Sequence, residues 1–216
     1  CDPQLKNTVH LLGFRESDLC LPWREGKVHI LKMLEGQIVT EDVQEEVGYT
    51  EEKGRKVFKP DGTYQKIAAV ERHKNTGKIG VGIVKGFGLR GGAIASSVSH
   101  DSHNLIVIGD NDHDMYLAVQ ELLRTQGGYT LVENGQVFDT LPLPIMGLMS
   151  DAGYEKVNEK LARMIPKAHE MGIPEGFDPF ITLSFMALPV IPEIRITPRG
   201  VYLTQEDRMI QSPFDR

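Results

Sequence analysis

The chain has 216 residues, 40% hydrophobic and 25% charged, with a formal net charge of −6 and two cysteines, Cys1 and Cys20. That length holds one large domain or two small ones and buries a core without staples, and two cysteines make no disulfide framework, which points to a reducing, cytoplasmic setting. The acidic balance argues against a nucleic-acid surface, and no apolar run approaches the roughly 18 residues of a membrane span.

Residues 1–26 read as irregular. The chain starts at Cys1 with no visible signal peptide. An N-terminal thiol can act as a nucleophile with its own amine as base, but Asp2-Pro3-Gln4 reads as a loop, and a chain cut from something longer is the plainer account. Residues 27–47 predict a hairpin: Val28, Ile30 and Leu34, a turn at Glu35-Gly36, then Ile38, Val39 and Val43. The glutamate-rich stretch Glu41–Glu52 reads as a solvated loop, and Pro60-Asp61-Gly62 as a turn. Gln65–Glu71 and Ile79–Lys85 predict strands joined at Asn75-Thr76-Gly77. Ile94–Val98 and Leu105–Ile108 are two more extended runs.

Met115, Ala118, Val119, Leu122 and Leu123 recur at helical spacing and predict a helix over Asp112–Gln126. Asn111 or Asp112 caps it and Gly127-Gly128 stops it. A type I′ hairpin follows, with strands Tyr129–Val132 and Gln136–Leu141 around Asn134-Gly135. Beyond the rigid Leu141-Pro142-Leu143-Pro144, Asp151 opens a second helix with Val157, Leu161, Met164, Ile165 and Ala168 on one face. Pro166 should kink it, and Gly172 and Pro174 end it. Residues 178–203 read as extended, at Phe180–Leu183 and Arg195–Thr197, and the tail from Glu206 has no clear period. Runs of strands with about two main helices predict an α+β fold on a mixed sheet, plus a small N-terminal β-hairpin region.

Three stretches could carry chemistry. Gly86-Phe87-Gly88-Leu89-Arg90-Gly91 matches a dinucleotide fingerprint after a strand, with Asp110 at the end of a later one. The fingerprint needs a helix opening at its third glycine, and the serine-rich, β-branched residues that follow predict a plain glycine turn instead. Asp110-Asn111-Asp112-His113-Asp114, with Glu121 at the twelfth position, resembles a calcium loop, but position six is Met115 where the sharp turn needs glycine. Those acids read better as a helix cap. The third stretch is His100-Asp101-Ser102-His103-Asn104, just before a buried strand. Imidazoles bind metal or move protons near neutral pH, and a carboxylate can fix their tautomer. In an extended segment His100 and His103 would face opposite ways, so they share a site only if the chain turns at Asp101-Ser102. The alternative is a polar turn whose side chains satisfy its own backbone. The chain has no C-x-x-C, which excludes the zinc base-deaminase signature.

The run SSVSHDSHNLIVIGDND, with Val84-Lys85-Gly86-Phe87-Gly88-Leu89, Leu141–Ser150, Asp178-Pro179-Phe180 and Ala187–Glu193 in the same order, resembles the C-terminal part of microbial adenine deaminases, of the amidohydrolase superfamily. The likeness runs from about Gly26 to about Gly200, and the tail after Val201 matches poorly. Ser99 stands where alanine is usual, Asp110 where threonine is, and His113 where an acid is. The resemblance implies a hydrolase that converts adenine and water to hypoxanthine and ammonia, using a divalent metal (manganese or iron). The family's metal ligands lie on a barrel that begins with a His-x-His pair absent here. Residues 1–62 would then be part of the small β-domain flanking that barrel, and 63–216 the C-terminal domain. Expected partners are adenine, the barrel and further copies of the protein. His100, Asp101, His103 and Asn104 are the candidate substrate-site residues, with no metal ligands in this chain. The competing expectation is a non-catalytic structural or oligomerisation domain, with a nucleotide-binding module behind it.

Overall fold

The computed structural model describes residues 3–215; the Cys1 thiol lies outside them. In chain order it contains β1 (Val28–Met33), β2 (Thr40–Glu45), β3 (Tyr49–Glu52), β4 (Arg55–Phe58), β5 (Tyr64–Val70), β6 (Ile79–Lys85), β7 (Gly92–Ser96) and β8 (Leu105–Gly109), then α1 (Asp112–Thr125), β9 (Gly128–Glu133), β10 (Gln136–Pro142), α2 (Tyr154–Glu170), α3 (Pro179–Phe185), β11 (Ile194–Thr197), β12 (Gly200–Leu203) and β13 (Arg208–Ile210). Eight strands form one sheet in the order β10-β9-β7-β8-β5-β6-β1-β2. Neighbours are antiparallel except β1 and β6, which run parallel. The expected α+β mixed sheet is therefore present.

Both faces of this sheet are covered, which is why its central strands read as unbroken apolar runs. Side chains alternate between faces along a strand. Ile67, Ala69, Ile94, Ile106 and Ile108 join α2, α3 and the β11–β13 sheet in one core. Ala68, Val70, Ala93, Leu105 and Val107 join α1 and the N-terminal segment in the other. β6 lies so close to β11 that a Cβ at Gly80 would sit 1.9 Å from the Thr197 carbonyl oxygen. Asn111 caps α1 as expected, its side chain accepting from the Asp114 amide. Asn134 and Gly135 both have positive φ, 49° and 78°, as a type I′ hairpin requires.

Four expectations change. Glu41–Glu52 is no loop: β2 and β3 occupy most of it, and three of its acids are paired, Glu41 with Lys32, Asp42 with His29 and Glu45 with Lys85 and Tyr64. The β3–β4 hairpin turns at Lys53-Gly54, both at positive φ. Phe180–Leu183 is helical, inside α3, because Asp178 caps it with bonds from the Phe180 and Ile181 amides and Pro179 sits in its first turn. Asp151 does not open α2; it bonds Lys6, and the helix starts at Tyr154 behind Gly153. The tail contains β13. The predicted apolar stripe of α2 faces the core, and the helix continues through the exposed Pro166. Among the described residues no helix is long and apolar enough to cross a membrane.

Candidate functional site

The loop between β7 and β8 carries the histidine pair. The His103 amide donates to the Ser99 carbonyl at 2.5 Å, closing a turn in which His103 takes φ of 48°. The chain reverses at Asp101-Ser102, so the two imidazoles lie together, with ring centroids 5.7 Å apart. The His100 amide donates to the Ser184 carbonyl at 2.9 Å, and its ring lies 5.2 Å from Phe185, which ties the turn to α3. His100 and His103 are half-buried and Asp101 is exposed.

The four candidates divide by what they touch. Asn104 is buried; its Oδ1 accepts from the Arg72 amide at 3.3 Å and its Nδ2 donates to Ser102 Oγ at 3.1 Å. Asn104 thus serves the turn itself. Among the described residues the Asp101 carboxylate and the His100 ring accept and donate no hydrogen bond. His103 Nδ1 accepts from the Ser99 amide at 3.2 Å, leaving Nε2 open. The buried Ser99 hydroxyl has no hydrogen-bond partner among the described residues.

Two residues that the motif reading passed over hold this turn. Arg72 is 1% exposed. Its Nε donates to the His103 carbonyl at 2.5 Å, Nη1 to the Thr8 carbonyl and hydroxyl, and Nη2 to the Met146 carbonyl at 2.9 Å. Burial lowers its pKa to about 10. His73 Nε2 donates to the Ser102 carbonyl at 2.7 Å. The available signal was a charged triplet, Glu71-Arg72-His73, directly after an apolar strand. Burial, followed by the nearby His100, Arg72 and His73, pushes the His103 pKa below its ordinary value, against Asp101. At neutral pH the ring is uncharged and can donate or accept a hydrogen bond.

Beside the turn lies a cleft of about 370 Å³, with Ala187, Pro189 and Ile196 among its apolar walls and Asp101, Ser102 and Asn104 at its polar end. That volume falls within the range of small-molecule sites.

The other two motifs are structural. A strand, β7, follows Gly91 where a nucleotide fingerprint needs a helix, and Asp110 accepts from the Gly91 and Gly92 amides. Gly88, at φ of 76°, approaches the Gly172 carbonyl so closely that a Cβ would sit 2.5 Å from it. In the calcium-like run Asn111 caps α1, Asp112 pairs with the buried Lys66, and Asp114 accepts from the Gly135 amide. Among the described residues no group of three or more His, Cys, Asp or Glu side chains could hold a metal ion.

A family model described as adenine deaminase C-terminal domain matches residues 37–208. An adenine deaminase of Desulfitobacterium hafniense (strain Y51) is 50% identical over 211 residues, which is 98% of this chain and 36% of the relative. An adenine deaminase of Nitratidesulfovibrio vulgaris (strain DP4) is 44% identical over 202 residues, covering 93% of this chain and 35% of the relative. One of Bacillus subtilis (strain 168) is 43% identical over 205 residues, with 93% and 35% covered. The chain thus spans about a third of the length of these relatives, and the match runs past Val201, where the likeness was expected to fade.

Proposed function

The chain belongs to the adenine deaminase C-terminal domain family, and from that premise we propose that it is the part of a full-length adenine deaminase that completes the mouth of the active site. The reaction is adenine plus water to hypoxanthine plus ammonia: the oxygen of water bonds to the ring carbon bearing the amine, and the carbon–nitrogen bond breaks. The observation that carries the reading is the uncommitted chemistry of the turn. Among the described residues the His100 ring, the Asp101 carboxylate and His103 Nε2 have no hydrogen-bond partner while Asn104, Arg72 and His73 hold the backbone.

Adenine's amidine edge sets an acceptor ring nitrogen beside a donor amine. A neutral imidazole that donates and a carboxylate that accepts match that pairing. A histidine at this place can also take or give the proton that the leaving ammonia needs.

The divalent metal implied by the family, manganese or iron, has no fitting donor set among the described residues. Metal activation of water is therefore assigned to the polypeptide that the relatives carry beyond this stretch, and no step here runs through a metal held by this chain. We further propose a cytoplasmic homo-oligomer acting in purine salvage as the setting of the full-length protein.

The second reading, a structural or oligomerisation domain, is favoured by one observation, the commitment of Asn104 to its own turn. Substitution separates the two. In the full-length protein, His100→Ala and His103→Ala should lose turnover per folded molecule with little change in Tm. Unchanged turnover for both variants would overturn the active-site reading.

A further inference from the structure

We propose that Arg72, with His73, is the positioning residue of this turn, fixing residues 102–104 so that the His103 imidazole accepts at Nδ1 and presents a protonated Nε2 to a ligand. The inference deepens the reading of the turn as substrate-facing and rests on it, but its test needs no turnover.

The tautomer follows from donor and acceptor chemistry. The Ser99 amide can only donate, and it points at His103 Nδ1 from 3.2 Å. Nδ1 must therefore carry a lone pair, and a neutral ring then has its proton on Nε2. Holding the ring there requires the backbone of His103 in the left-handed region, at φ of 48°. Outside glycine that region is uncommon and carries some strain, though histidine tolerates it better than most, so contacts that hold it there are informative.

The support comes from two consecutive residues past the end of β5. Arg72 Nε donates to the His103 carbonyl, the Arg72 amide donates to Asn104 Oδ1, and His73 Nε2 donates to the Ser102 carbonyl. The far arms of the guanidinium are anchored on Thr8 and Met146, two segments distant in sequence. No carboxylate pairs with Arg72 among the described residues, so its cationic fork is spent on main-chain and hydroxyl oxygens. A lysine has one point charge and no planar fork, and cannot reach these oxygens together.

The charges around the ring mostly favour its neutral form. His100 and Asp101 lie on the turn itself, Arg72 and His73 face it from beyond β5, and only Asp101 favours protonation. A fixed Nε2–H recognises an acceptor atom, such as an unsaturated ring nitrogen or a carbonyl oxygen, and rejects an amine at that position.

The test is ¹⁵N–¹H NMR of the imidazoles in the 216-residue chain. The expected spectrum shows His103 as the Nε2–H tautomer, with a titration midpoint below the usual ~6.5. His73→Ala removes an exposed side chain and should leave the fold intact while shifting His103 to a mixture of tautomers. Arg72→Lys should produce a larger shift of the same kind. A parent His103 with its proton on Nδ1, or a tautomer unmoved by His73→Ala, overturns the proposal whether or not the Arg72 variant folds. Loss of turnover on His103→Ala combined with the wrong tautomer would sink this inference and leave the active-site reading standing. The right tautomer with unchanged turnover would do the reverse.

Discussion

Glu71 stands between β5 and the two residues that hold the histidine turn, and removing its charge should loosen that support in a pH-dependent way. Its Oε1 accepts from the His73 and Lys74 amides at 2.6 and 2.7 Å, and its Oε2 from the Thr76 amide and hydroxyl at 2.9 and 2.8 Å. Burial alone would raise its pKa, but these hydrogen bonds outweigh it and hold the group at about 2, below the ordinary carboxylate value of 4.5. At about 1.4 kcal/mol per unit, the ceiling is about 3 kcal/mol. The carboxylate faces solvent over much of its surface, so screening reduces this to about 1–2 kcal/mol. Because the folded value is depressed, the contribution is complete above the unfolded value of 4.5. It shrinks as the pH falls, because the unfolded chain takes up the proton first, and it is gone below about 2. Glu71→Gln should therefore unfold about 1–2 kcal/mol more easily than the parent at pH 7 in urea titrations. At pH 3 that gap should fall to less than half. A gap of equal size at both pH values would refute the carboxylate as its source.

Two more outcomes are expected. Ser99→Ala should leave stability unchanged or raise it by about 0.5–1.5 kcal/mol, read as a shift in the urea midpoint, because the variant removes a buried hydroxyl that has no partner among the described residues. The purified 216-residue chain should release no ammonia from adenine, since on the proposed division of labour the water-activating group lies in the rest of a full-length protein; release at rates comparable to a full-length relative would contradict that division.

What the sequence made legible follows period and turn chemistry. Ile67 and Leu105–Ile108 could be read because burial on both sheet faces leaves an unbroken apolar signal, and the α1 stripe because one face of that helix packs on the sheet. The Asn134-Gly135 hairpin could be read because its turn demands positive φ at both positions. The 27–47 hairpin could be read from its apolar residues and is present as β1 and β2, although the acids of β2 look solvated until His29, Lys85 and Tyr64 arrive from other strands; β3 was hidden because its exposed acids carry no apolar signal. α3 was hidden because Ile181 and Thr182 favour extended backbone, and the Asp178-Pro179 cap overrides them over only seven residues.

The site shows the same split between local and distant causes. His100, Asp101, His103 and Asn104 stand together in the sequence and could be singled out as a group. Their division into free and committed groups could not, because it depends on Arg72 and His73, which reach the turn from beyond β5, and on Thr8 and Met146, which hold Arg72 from 64 and 74 residues away. A buried arginine bonded mainly to main-chain oxygens leaves little beyond the charged triplet that carries it, since most of its acceptors are atoms that every residue carries. The role of Arg72 therefore becomes visible only when the fold brings three separate segments to one guanidinium.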